Sequence, residues 1–214
     1  MAETLQDLLD AIRNCHICAA HLPLGPRPVL HVSPTARLLI ASQAPGTRVH
    51  ETGQSFNDAS GDRLRGWMGI DRDTFYDSSR IALVPMGLCY PGRLPRGGDC
   101  PPRPECAPQW RRRIMAQMPD IRLTLVVGSY AQQHILGKGR VSARCLDFRQ
   151  YLPRYFPLPH PSWRTGAWER RTPLFGSDVI PALRACVQAV LSDLPLPVMA
   201  AAPQPQATVP LHRP

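Results

Sequence analysis

Three short runs, Arg37-Leu38-Leu39-Ile40-Ala41-Ser42, Ile81-Ala82-Leu83-Val84 and Leu123-Thr124-Leu125-Val126-Val127-Gly128, restrict this chain to a narrow set of folds. None alternates apolar with polar residues along its length, so none suits a sheet with one wet face. They have the pattern of strands covered on both sides, that is, of a parallel sheet between layers of helices. Helical spacing fills the intervals. Leu5, Leu8, Leu9 and Ile12 predict a helix running into Cys15, and Ser60 with Gly61 predicts a capped helix through about Met68. Gln109–Met118, Tyr130–Leu136 and Val179–Leu191 read as further helices, the last with Pro181 tolerated in its first turn. Tyr155-Phe156-Pro157-Leu158 adds a short fourth strand, while Gln43–Ser60 and the stretch from the second strand to about Pro108 read as long loops. The expected architecture is α/β: a three-layer αβα sandwich with a central, mostly parallel four-stranded sheet.

A chain of 214 residues makes one such domain, assigned to residues 1–193. Residues 194–214, rich in Pro, Ala, Gln and Val without periodicity, read as a disordered tail. No window approaches the roughly 18 uninterrupted apolar residues of a membrane span, and Met1-Ala2-Glu3-Thr4 does not open a signal sequence. A cytoplasmic monomer without a membrane partner is the expectation. The 25 basic residues exceed the 16 acidic ones by nine, the balance of a protein that meets phosphates. Lys138 is the one lysine, so the charge is almost all guanidinium, suited to bidentate phosphate contacts and equally a product of arginine-rich codon usage. Seven cysteines without an export signal point to metal ligation plus buried thiols rather than a disulfide framework.

In an open parallel sheet, ligands bind where loops leave the carboxyl ends of the strands. Four loops of this kind carry chemistry here: Gln43-Ala44-Pro45-Gly46, Gly87 to Cys106, Gly128-Ser129-Tyr130 and His160-Pro161-Ser162. No Gly-x-Ser-x-Gly or comparable nucleophile sequence supports a small-molecule hydrolase on the same architecture.

The motifs Ser42-Gln43-Ala44-Pro45-Gly46 after a strand, Phe56-Asn57-Asp58-Ala59-Ser60-Gly61-Asp62 before a helix and His160-Pro161-Ser162 after the last strand resemble, in order and spacing, the uracil-DNA glycosylase superfamily. The likeness runs from about Cys15 to Leu191 and is greatest to the two iron-sulfur families. Cys15, Cys18, Cys89 and Cys106 are similar to the four cysteines that hold a [4Fe-4S] cluster there. Zinc is the alternative, with His16 as a possible further ligand, and Cys100 is a rival for the fourth place. Cys145 and Cys186, in apolar surroundings, read as core residues.

The resemblance implies a DNA glycosylase that flips a damaged base out of single- or double-stranded DNA. It makes Phe56 the aromatic that stacks on the base, His160 the donor to the departing base and Asp58 the carboxylate that orients water. A helix-capping Asp58 is the plain alternative, and Asp62 reads as a first-turn residue favouring the helix dipole. Gln43, Ala44 and Met86 are expected to read the base. Pro45, Gly46, Ser129, Ser162, Trp163, Arg164 and Arg170 are expected to meet DNA, the last three in a Trp- and Arg-rich segment placed like the family's wedge loop. Two departures stand out. Gln43 occupies the place of a glutamate, and an amide cannot act as a base. Pro85 occupies the place of a base-reading asparagine, and proline offers neither a side-chain donor nor a backbone N–H. A different deaminated base such as hypoxanthine, or a fold relative that binds nucleic acid with little uracil excision, are the readings these departures open.

Overall fold

The computed structural model describes residues 3–199. Four strands, β1 (Leu38–Ala41), β2 (Ile81–Leu83), β3 (Leu123–Val127) and β4 (Tyr155–Leu158), form one sheet in the order β2-β1-β3-β4. Every pairing is parallel, so the expected sheet is parallel throughout rather than mostly.

The uninterrupted apolar runs are explained by where successive side chains go. Leu38 and Ile40 of β1 join Leu123, Leu125 and Val127 of β3 in one core cluster, beneath α3 (Ala59–Met68) and α9 (Ile180–Leu191). The residue between them, Leu39, points the other way, into a second cluster with Leu8 and Ile12 of α1 (Leu5–Arg13) and Trp110 and Ile114 of α5 (Cys106–Ala116). A strand with a dry environment on both faces has no polar position to offer. Three layers follow, as the sequence led us to expect.

Several elements depart from expectation. Inside the supposed loop after β1 lies α2 (Thr47–Thr52), and beyond α3 lies α4 (Arg72–Tyr76), whose N-cap Asp71 accepts from the Thr74 N–H. A further pair, α6 (Gly128–Leu136) and α7 (Val141–Leu146), replaces the single helix expected there, and α8 (Gly166–Arg171) lies in the Trp- and Arg-rich segment. Helices of five or six residues are too short to show a periodicity. The helix expected from Gln109 starts earlier, at Cys106, because Pro108 fits the first turn, where its missing N–H costs nothing. The cap of α3 is Asp58 and not Ser60.

Before α9 the backbone makes one π turn, Phe175–Val179, tied by a two-pronged ion pair from Arg149 to Asp178 at 2.7 and 2.7 Å. Residues 194–199 of the expected tail take no helix or strand, and Leu196 and Met199 pack against the larger core cluster; residues 200–214 lie outside the described residues. Among the described residues no single helix is long and apolar enough to cross a membrane.

Candidate active site

At the carboxyl ends of the strands a pocket opens, walled by residues 42–46 after β1, Phe56 and Asp58 before α3, Pro85 after β2, Asp99 and His160. The wall between β1 and β2 is continuous because pairing persists beyond the strands: the Met86 N–H donates to the Ser42 carbonyl (2.9 Å) and the Gly87 N–H to that of Gln43 (3.0 Å). These bonds bear on base recognition, since both N–H groups are spent on the backbone. Met86 does not line the pocket at all. Its side chain packs with Ala41, Val126 and Ala131, so its expected base-reading role is corrected. Gln43, Ala44, Pro45 and Gly46 do line the pocket, and Pro85 presents a face without donors.

Phe56 is held in a conformation that a non-glycine residue seldom takes, with φ at 55°. Neighbours fix it. The Tyr76 hydroxyl donates to the Ser55 carbonyl (2.8 Å), Arg72 donates to Gln54 and Asn57, and the buried Arg65 reaches the Phe56 carbonyl (3.4 Å). Packed edge-on against Phe75 at 5.9 Å, the Phe56 ring lines the pocket. Backbone strain sustained in this way is characteristic of sites where geometry matters more than local stability.

Asp58 serves two ends. All of its hydrogen bonds fall on Oδ1, from the Ser60 N–H (3.0 Å), the Ser60 hydroxyl (2.6 Å) and the Gly61 N–H (3.0 Å), which start α3. The second oxygen, Oδ2, has no protein donor among the described residues. The capping role weighed from the sequence is therefore present, and it leaves one carboxylate oxygen for the pocket. Burial pushes the pKa of His160 down from its ordinary value despite the opposing charges of Asp58 and Asp99, which favours a neutral ring at neutral pH. Beneath that ring lies Gly128 at φ 83°, where a Cβ would come within 3.5 Å of His160.

Asp99 escaped the sequence reading. It follows two glycines in the long loop after β2, and only the folding of that loop carries it to the site; Gly87, whose Cβ would stand 2.9 Å from Pro102, permits the close approach. One Asp99 oxygen would lie 3.4 Å from a Cβ on Gly46, across the pocket mouth. Solvent reaches the residue, yet partial burial raises its carboxyl pKa, with the nearby Asp58 charge adding to the effect. The glycine pair signals a turn and nothing more.

Outward from the pocket runs a wider groove lined by Arg63, Tyr130, Ser162, Trp163 and Arg164 among others. Trp163 is 78% exposed, with the Arg164 guanidinium 5.1 Å above its ring. Trp168 is different: half-buried, it packs edge-on against Phe175 at 5.1 Å on the side of the core, so Trp163 is the indole of the segment most open to a ligand. From α3, Arg63 donates to the Ser162 carbonyl (3.3 Å) and pairs with Glu169 (2.6 Å), fixing the His160 loop to the helix that Asp58 starts. Ser129 and Arg170 are exposed on α6 and α8, outside the groove lining.

Cys15, Cys18, Cys89 and Cys106 ring a separate pocket, with Ile12, Leu88 and Trp110 among its walls, and Cys100 is not part of it. All seven thiols are free of disulfides. Burial pushes Cys89 up to about 12 and Cys106 up to about 11, and the Leu88 N–H donates to the Cys106 sulfur (3.3 Å). Among the described residues no group of three His, Cys, Asp or Glu side chains is arranged to hold a single metal ion. Four thiols, one of them receiving an N–H bond, line one largely apolar pocket, and such soft donors are the ligand type of an iron-sulfur cluster or of zinc. Cys145 and Cys186 are buried in the core, as expected.

Two comparisons with known proteins found likenesses. The family model described as uracil DNA glycosylase superfamily matches residues 30–184. A solution structure from Methanosarcina acetivorans, provisionally described as a uracil DNA glycosylase, is 17% identical, with a TM-score of 0.45, over 75% of this chain and 97% of that one.

Proposed function

This chain belongs to the uracil DNA glycosylase superfamily, and on that premise we propose that it hydrolyses the N-glycosidic bond of a flipped-out deaminated base in DNA. The observation that carries the proposal is the meeting of Phe56, Asp58 and His160 on one pocket at the carboxyl edge of the sheet.

Each does what its chemistry allows. The Phe56 face supplies stacking, worth about 1–3 kcal/mol per base and indifferent to its identity. Asp58, through Oδ2, orients a water toward the sugar carbon and opposes the positive charge that builds there as the bond to the base breaks. The electron pair of that bond leaves with the base. A neutral His160 donates a hydrogen bond to the oxygen where the negative charge collects; the water adds to the sugar carbon, its released proton passes by way of Asp58 to solvent, and the departed base anion takes up a proton from solvent. Gln43 contributes hydrogen bonds but takes no proton. Asp99, at the mouth, adds a second carboxylate facing the same sugar.

We propose that the four cysteines hold a [4Fe-4S] cluster, with zinc as the alternative. When bound, it fastens the long loop after β2 to the end of α1; the chemical step does not involve it.

A second reading, a nucleic-acid-binding protein with little excision, is favoured by Gln43 and Pro85 and by the engaged N–H groups of Met86 and Gly87. Release of free base from oligonucleotides carrying uracil or hypoxanthine, single-stranded and duplex, separates the two. Excision that disappears in His160→Ala supports the glycosylase. Salt-sensitive DNA binding without any base release favours the second reading.

A further inference from the structure

At the opposite end of the sheet from the pocket, Thr124 and Tyr155 are paired near the amino ends of β3 and β4. They form the floor of another cavity, of about 500 Å³, roofed by α5 and the end of α6. Arg111 of α5 extends into its wall. The guanidinium Nη1 is buried and has no hydrogen-bond partner among the described residues. Among the described residues Arg111 makes no ion pair and no carboxylate lines the cavity. Desolvation pushes the Arg111 pKa down to about 10. Arg111 is half-buried, and a guanidinium nitrogen that is itself buried without a partner is a group that native proteins satisfy with a counter-ion or with water.

The rest of the cavity has a consistent character. Arg154 lies over the Tyr155 ring at 5.6 Å and has no acidic partner among the described residues. His134 is held toward its neutral form by burial and by the charge of Arg111. Arg122, at the rim, is already committed to Asp193 and the Leu194 carbonyl. Two available guanidinium groups thus flank one space, with Met115 and Met118 forming an apolar wall. Guanidinium forks match the oxygens of a phosphate, and the volume far exceeds a phosphate alone.

We propose that this cavity binds an organic phosphate of mononucleotide size, its phosphate between Arg111 and Arg154 and its body against the methionine wall. The site is separate from the base pocket and does not depend on the glycosylase reading. A phosphate of this kind has two sources, a free nucleotide or the phosphorylated end of a DNA strand.

Calorimetric titration of the full chain with inorganic phosphate, with a deoxynucleoside monophosphate and with a 5′-phosphorylated oligonucleotide tests the idea. The expected result is saturable binding of phosphate at one site and tighter binding of the mononucleotide, with affinity reduced about tenfold or more in Arg111→Met. That variant keeps the apolar stem and removes a half-buried guanidinium that has no ion pair among the described residues, so it is expected to melt no lower than the parent when phosphate is absent. Arg154→Gln, at the rim, is expected to weaken binding likewise. Tighter binding of the 5′-phosphorylated oligonucleotide than of the same oligonucleotide without its phosphate, with the difference lost in Arg111→Met, would assign the site to strand ends. Absence of saturable phosphate binding, affinity unmoved by both substitutions, or a mononucleotide no tighter than inorganic phosphate would overturn the proposal.

Discussion

A Cβ on Gly61 would stand 1.7 Å from the carbonyl oxygen of Phe56, closer than any two such atoms can come. The first turn of α3 is therefore pressed directly against the turn that presents the Phe56 ring. Gly61→Ala is expected to force the two apart, lowering stability by about 1–3 kcal/mol and removing base excision in whatever protein still folds. Denaturation midpoints and base-release rates measured on the same preparation check both halves.

Asp58 caps a helix through one oxygen and leaves the other to the pocket, and two substitutions separate those functions. Asparagine caps a helix about as well as aspartate, so Asp58→Asn is expected to keep stability within about 0.5 kcal/mol while cutting excision by about 100-fold or more. Asp58→Ala should lose the same activity and in addition about 1 kcal/mol of stability. Equal excision by Asp58→Asn and the parent would remove the water-orienting role.

Three histidines, His31, His134 and His160, have pKa values lowered by burial. Between those folded values and the unfolded value of about 6.5, the unfolded chain holds more protons, so stability falls as pH drops through that window. The slope is at most about 1.4 kcal/mol per pH unit for each group. Carboxylates with lowered values, such as Asp178, act only below their unfolded value near 4, while the raised Asp99 acts above it with the opposite sign and offsets part of the histidine loss. Urea titrations from pH 7 downward should show the loss, and His160→Gln should flatten it.

Iron and acid-labile sulfide, measured on protein purified without oxygen, are expected to be present in the parent and lost in serine variants of Cys15, Cys18, Cys89 and Cys106. Cys100→Ser should retain them, because Cys100 stands outside the thiol pocket. Stoichiometric zinc without iron would assign the alternative ion.

The two tryptophans of the segment after His160 are expected to respond in opposite ways. Trp163→Ala should cost little stability, since the ring is 78% exposed, and weaken DNA binding by about 1–3 kcal/mol. Trp168→Ala should instead lower stability by about 1–3 kcal/mol, because its half-buried ring is packed on Phe175. Filter binding and thermal melts distinguish them.

The strands were legible because each is written in consecutive residues, as a run that is almost wholly apolar, and so was the placing of a histidine between prolines after the last of them. Met86 was misplaced because strand pairing continues past the end of β2 and turns its side chain away, which depends on the partner strand and not on Met86 itself. Asp99 and Arg111 were missed for the same kind of reason. One sits on a glycine turn and the other in a run of three arginines that reads as a solvated helix face; only the packing of distant elements gives either a special environment. Trp168 likewise looks identical to Trp163 until Phe175 comes to meet it.

The strand order β2-β1-β3-β4 also fixes when chemistry becomes available as the chain leaves the ribosome. Phe56, Asp58 and Asp99 are all made within the first hundred residues, on the side of the sheet built by β1 and β2. His160 comes after β4, an edge strand that has nowhere to dock until β3 is in place. A chain that stops before β4 lacks His160 altogether, so on the proposed mechanism the donor to the departing base is the last part of the pocket to be made, with the closing edge of the sheet.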